Sequence, residues 1–171
     1  MSHINRLKSK IISRLQLSDV VRDLKKEGKK IVFTNGCFDI LHKGHVQYLA
    51  ATADFGQVLV VGLNSDQSVK RLGKGDDRPI NNFDARATVM SALSFVDYIV
   101  EFDEDTPLTL IEEIVPDVLI KGGDYDPEES DQNNKKYIVG REVVLNNKGV
   151  VDIVNLVDGF STTNLINKIR K

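Results

Sequence analysis

Residues 57–64, Gln-Val-Leu-Val-Val-Gly-Leu-Asn, form a short run that is apolar at nearly every position. A strand with one wet face alternates apolar and polar residues. A strand covered on both faces does not, and two-sided cover is the mark of a parallel sheet with helices on each side. Residues 31–34 and 117–120 read in the same way, and 98–102 and 150–155 complete the predicted strands. Between them the spacing predicts helices over 43–55, 65–72 with Ser65 as cap, 84–95, a stretch capped by Thr106 with Pro107 in its first turn, and 161–170. Strands alternating with helices predict an α/β fold with a mainly parallel sheet.

Ahead of the first strand, Ile4, Leu7, Ile11, Ile12 and Leu15 recur at helical spacing. Ser18 is placed to cap a second helix over 19–27 that Gly28 would end. Residues 1–27 are therefore expected as an N-terminal helical leader and 28–171 as the main domain. Two polar stretches, 73–84 and 126–136, are expected as mobile loops.

Composition narrows the function. The 171 residues suit one domain, and 23 Lys plus Arg against 25 Asp plus Glu leave a net charge of −2. That balance argues against a broad basic surface for nucleic acid. No apolar run approaches the length of about 20 residues that a membrane-spanning helix needs, and the first residues do not read as a secretory signal. Cys37 is the single cysteine, so an intramolecular disulfide is excluded and a reducing, cytoplasmic setting fits.

Ligands of open parallel sheets bind beyond the carboxyl ends of the strands. The strongest signal lies at such an end: Gly36-Cys37-Phe38-Asp39-Ile40-Leu41-His42-Lys43-Gly44-His45. Two histidines stand at a helix start, where unpaired N–H groups and the helix dipole attract anions. Gly44 leaves room for a phosphate to approach the backbone. Alone, His-x-x-His also fits one surface and one core histidine, and zinc is a further reading, although only Cys37 offers a nearby thiol. Asp39 can either hydrogen-bond the turn or help to organise metal and substrate.

The segment Asn35-Gly36-Cys37-Phe38-Asp39 followed by His42-x-Gly-His45 resembles the signature of the nucleotidyltransferase superfamily with the HxGH motif. Gly159-Phe160-Ser161-Thr162-Thr163 resembles its second signature, and together they extend the similarity over nearly the whole chain. The resemblance implies a Rossmann-like three-layer α/β/α nucleotidyltransferase fold. It implies catalytic roles for His42, His45 and Lys74. Nucleotide contacts are implied at Asn35, Gly36, Cys37, Phe38, Gly44 and Asn64 and at Ser161, Thr162 and Thr163. Lys121, Gly123, Asp124 and Tyr125 would line the base and ribose. Arg86 would grip the triphosphate with Lys74, with Arg78 as a third candidate. No protein metal site is implied; Mg²⁺ would accompany ATP.

Within the superfamily the chain resembles the adenylyltransferases that make ADP-heptose for lipopolysaccharide, in Arg78-Pro79-Ile80-Asn81, Phe102-Asp103-Glu104-Asp105-Thr106-Pro107 and Lys121-Gly122-Gly123-Asp124-Tyr125. This implies ATP and a heptose 1-phosphate as substrates, a separate sugar kinase in the same pathway, and a homodimer. Glycerol-3-phosphate cytidylyltransferase is the competing reading. Its usual arginine before the Ser-Thr-Thr turn is replaced here by Leu156. A nucleotide-binding regulator without turnover is the alternative from another class. No single residue fixes the choice of base.

Overall fold

All strand pairings are parallel in the computed structural model, which describes residues 1–73, 75, 77–157 and 159–169. In chain order the elements are α1 (His3–Lys8), β1 (Ile11–Ile12), α2 (Arg14–Lys26), β2 (Ile31–Gly36), α3 (Lys43–Ala53), β3 (Val58–Asn64) and α4 (Asp66–Arg71). There follow α5 (Phe83–Ser91), β4 (Tyr98–Phe102), α6 (Leu108–Ile114), β5 (Val118–Gly122), α7 (Arg141–Asn146), β6 (Val150–Val154) and α8 (Thr162–Ile169). The sheet order is β1-β4-β3-β2-β5-β6.

Successive strand residues point to opposite faces, and both faces are covered. Phe33, Val60, Val100 and Leu119 meet Leu17 and Val21 of α2, Leu110, Ile111 and Ile114 of α6, and Val144 of α7. Val32, Leu59, Val61, Leu63 and Ile120 meet Tyr48 and Leu49 of α3 and Ala87 and Met90 of α5. This is the expected three-layer α/β/α arrangement. All seven residues of β3 are buried, as its unalternating sequence required.

The N-terminal segment departs from the expected helical leader. Ser13, not Ser18, is the helix cap: its hydroxyl accepts the Gln16 N–H, and the Gln16 side chain accepts the Ser13 N–H. The chain before it breaks into strand at Ile11–Ile12, which pairs with Ile99 and Val100 of β4. Leu17 is 0% exposed, so residues before 28 contribute both a strand and core side chains. Helix α7 has no counterpart among the expected elements; it starts after Gly140, whose φ is +86°.

The neighbours of β2 differ in extent. With β3 the pairing runs from Ile31↔Val58 to Gly36↔Leu63. With β5 it comprises only Val32↔Val118 and Phe33↔Leu119. Beyond that point the two strands part. The chain order also reverses here, since β3 and β4 lie on one side of β2 and β5 and β6 on the other.

Residues 77–82, within the stretch expected to be mobile, are pinned to the turn after β2. The buried Asp39 carboxylate accepts Arg78 Nε at 2.6 Å and the N–H groups of Ile80 and Asn81, each at 2.9 Å. Asn81 Nδ2 donates to the Asp39 carbonyl. The Asp39 carboxylate thus ties residues 78–81 to the turn that carries it. The Arg86 side chain is fully buried. It donates to the carbonyls of Asn81 and Cys37 and to Asp66 Oδ1, so it braces the loop from behind.

Leu17→Ala is expected to cost about 2–5 kcal/mol, the range for truncating a fully buried leucine. A denaturation midpoint unchanged from wild type would show that α2 is dispensable to the core. Arg78→Leu leaves the Asp39 carboxylate buried with its two N–H donors but without its cation. Breaking a buried pair costs about 3–5 kcal/mol, and the low end applies here, read in the same denaturation experiment.

Candidate active site

A cleft of about 800 Å³ opens where β2 and β5 part, between the turn after β2, the N-terminus of α3, the end of β5 and the turn before α8. That volume is within the usual range for small-ligand sites, about 300–1,000 Å³. A larger groove, about 1,250 Å³, runs past β1 and β4 and is lined by Asp66, Glu101, Asp103 and Glu104. Arg86 pairs with Asp66, Arg14 with Glu104 and Arg71 with Asp103. No histidine lines that groove, and of the motif residues only the 102–105 segment reaches it, so the chemistry belongs to the smaller cleft.

The first wall of the cleft is the β2–α3 turn. Asn35 and Gly36 end the strand, Cys37 and Phe38 make the turn, and His42 caps α3. The cap is the imidazole itself: His42 Nδ1 accepts the His45 N–H at 3.3 Å. Burial lowers the pKa of His42 from its ordinary 6.5, so the ring favours its neutral form. A neutral imidazole that accepts at Nδ1 carries its proton on Nε2. That nitrogen is buried, with no hydrogen-bond partner among the described residues. His42 therefore presents a preset N–H donor. The His45 ring stacks on that of His42, with centroids 3.8 Å apart, and the edge of Phe38 meets His45 at 5.2 Å.

Two glycines are dictated by this packing. A Cβ on Gly44 would lie 3.0 Å from the His42 ring and 3.1 Å from Phe160 Cβ, and one on Gly36 would lie 2.9 Å from the Phe38 ring. Side chains there would push the histidine off the helix end or the phenylalanine off the turn.

The opposite wall comes from β5. Lys121 Nζ donates to Asn35 Oδ1 at 3.0 Å and sits 4.7 Å from the Tyr125 ring centroid. Asp124 and Tyr125 line the cleft, as does Gly122. An added Cβ on Gly123 would meet the Asn155 side chain at 2.9 Å. Burial and the nearby Asp124 carboxylate raise the Tyr125 pKa. Asn64, at the end of β3, lines the floor and faces the Cys37 thiol at 3.8 Å.

The roof is the turn before α8. The Ser161 hydroxyl accepts the Asn164 N–H at 3.0 Å, and Ser161, Thr162 and Thr163 all line the cleft. Phe160 forms the rim, with Lys43 Nζ 5.3 Å from its ring centroid. Lys74 lies outside the described residues. Phe160 and Tyr48 escape the list of expected site residues. The only signal for them is position: Phe160 lies within the second signature, and Tyr48 follows the first by three residues.

Comparison with known proteins gives the family. The sequence model of the cytidylyltransferase-like family matches residues 33–168. The chain is 54% identical over 154 residues to the bifunctional protein HldE of Geotalea uraniireducens, covering 90% of this chain and 30% of that protein. It is 51% identical over 160 residues to the bifunctional protein HldE of Haemophilus influenzae, covering 94% and 32%. It thus spans about a third of the length of these relatives. Among solved structures it is similar to the lipopolysaccharide core biosynthesis protein from Thermoplasma volcanium, with 28% identity, a TM-score of 0.57 and coverage of 76% of this chain and 98% of that one. Motif, fold and comparison converge, and the chain belongs to the cytidylyltransferase-like family of nucleotidyltransferases.

Proposed function

We propose that this chain transfers AMP from ATP to D-glycero-β-D-manno-heptose 1-phosphate, releasing pyrophosphate and forming ADP-heptose for lipopolysaccharide synthesis. The observation that carries the transfer chemistry is the stacked His42–His45 pair at the start of α3, in the lining of the cleft, with the neutral Nε2–H of His42 unpartnered among the described residues. The extent of similarity to the HldE proteins supports the heptose acceptor.

The acceptor phosphate needs no base. Its second pKa is about 6, by analogy with phosphorylated side chains, so at neutral pH it is already a nucleophile. It attacks the α-phosphorus of ATP and pyrophosphate leaves in line. The protein's work is then positioning and stabilisation of charge on the transferring group. His42 and His45 donate to α- and β-phosphate oxygens. The N-terminus of α8, with Ser161, Thr162 and Thr163, holds the departing phosphates, and Lys74 joins them. Mg²⁺ would arrive with the triphosphate, held by phosphate oxygens and water as is usual for this ion. The Asp124 carboxylate lines the cleft, where it would meet the water shell of the ion. A sugar kinase would supply the acceptor.

The deciding experiment pairs ATP or CTP with heptose 1-phosphate or glycerol 3-phosphate, in Mg²⁺, and measures pyrophosphate. Release is expected with ATP and heptose 1-phosphate. Release only with CTP and glycerol 3-phosphate would transfer the chain to the competing cytidylyltransferase reading. ATP binding without release under any pairing would leave either another acceptor or a regulator without turnover.

His45→Ala is expected to lower turnover about 10²–10³-fold, the usual cost of one donor at such a site, with the circular dichroism spectrum unchanged. Normal turnover would remove His45 from the mechanism. His42 does two jobs that substitutions separate. His42→Ala loses both cap and donor, and the cap alone is worth about 1 kcal/mol. His42→Asn restores the cap, so its melting temperature should return to near wild type while turnover stays low.

The pH dependence has a definite sign. Folding favours neutral His42, so the stability of this cap is fully present above the ordinary value of 6.5 and is lost as pH falls through the lowered folded value. Thermal melts of wild type should weaken over that acidic window, and the His42→Asn variant, whose cap does not titrate, should not share this component of the loss.

A further inference from the structure

Parting two parallel strands releases backbone groups that an intact ladder would have bonded, and buried groups of this kind need other partners. After Phe33↔Leu119 the next residues on the two strands are Thr34 and Ile120. Both are fully buried. The side chain that stands between them is Tyr48. Its hydroxyl lies 2.7 Å from Thr34 Oγ1 and donates to the Ile120 carbonyl at 3.3 Å. A tyrosine hydroxyl has one proton, so if it goes to Ile120 the Thr34 hydroxyl must be the donor to Tyr48. One phenol thereby ties β2 to β5 at the floor of the cleft.

Tyr48 also touches the histidines through a second ring. It lies one helical turn after His45, on the same face of α3. Its ring is 6.5 Å from Phe38 in a stacked arrangement, and Phe38 meets His45 edge-on. The width of the opening and the tilt of His45 thus share a single support.

We propose that Tyr48 is a positioning residue for the transfer step: bridging Thr34 and Ile120 while backing Phe38, it fixes the distance between the histidine wall and the β5 wall of the cleft. It touches no reacting atom. Burial pushes its pKa up to about 12, so the hydroxyl stays protonated at working pH and serves as a strut, not as an acid or base. The catalytic consequence rests on the adenylyl-transfer reading, whereas the strut itself does not.

Tyr48→Phe keeps the ring and removes the bridge. Two measurements test it separately. Hydrogen exchange of the free protein reads the strut: amides at 34–36 and 120–122 should exchange faster in Tyr48→Phe, and unchanged protection there would overturn the proposal whatever the protein catalyses. Kinetics with the nucleotide and acceptor that the wild type turns over reads the consequence. We expect kcat to fall about tenfold, well within what slight misplacement can cost, with KM for ATP within about twofold. Thr34→Val should reproduce that fall, Thr34→Ser should restore it, and Thr34→Val with Tyr48→Phe should be little worse than either alone. An unchanged kcat, or two losses that multiply in the double variant, would overturn the proposal. A wild type that releases no pyrophosphate would refute the adenylyl-transfer reading, and the exchange experiment would still decide the strut.

Discussion

The early parting of β2 from β5 is the constraint on which the site depends. Every strand is parallel, so all carboxyl ends lie on one edge of the sheet, but among the pairs of longer strands only this one is released from its ladder so soon. A cleft cannot open in a continuous sheet without leaving buried carbonyl and N–H groups unpaired. Here the opening is closed below by the Tyr48 bridge and crossed higher up by Lys121 and Asn35. Helix α3 supplies the bridge from its middle and the two histidines from its start. The same helix therefore fills the gap and equips it.

The handling of charge follows from that geometry. Arg78 and Arg86, both placed by sequence near the phosphates, are buried against Asp39 and Asp66. They hold residues 77–82 against the turn after β2, and Arg78 also lines the cleft. What faces the cleft from α3 and α8 is largely neutral: imidazole N–H, hydroxyls and the first N–H groups of two helices. Fixed neutral donors in a partly dry site stabilise charge as it develops and need no rearrangement when the reaction occurs. The two uses of cationic and neutral groups are complementary. Buried ion pairs make the scaffold rigid, and the scaffold aims the dipoles.

This division explains what was legible in the sequence. The sheet could be read because two-sided burial leaves an unalternating apolar run, visible residue by residue at 57–64. The histidine signature could be read because all its parts lie within eleven residues of one turn. Strand β1 was hidden: two isoleucines fall in step with Ile4 and Leu7, and only pairing with β4 makes them a strand. The Ser13–Gln16 capping box stood in the sequence as Ser-x-x-Gln, a helix-start signal that Ser18 obscured. The allegiance of Arg86 was not legible by any local rule, since its partner carbonyl on Cys37 is 49 residues away. Gly122 and Gly123 are adjacent in sequence, yet an added Cβ would meet Asp124 and Leu156 at the first and Asn155 at the second, and no local pattern separates them.

Phe38 shows how tightly the turn is specified. Its φ of +42° lies in the left-handed region, where a residue with a side chain costs of the order of 1–3 kcal/mol. Glycine would relieve that strain, yet the ring cannot be spared. It covers Gly36, meets His45 edge-on and stacks on Tyr48. The strain is therefore held in place by packing on three sides, at the point where the chain must turn from strand to helix within a few residues. A relaxed turn would let His45 rotate away from His42 and would leave the hydroxyl of Tyr48 without the stacked ring that seats it. The unfavourable backbone at Phe38 and the open gap between β2 and β5 are two parts of one arrangement, and neither would stand without the aromatic contacts between them.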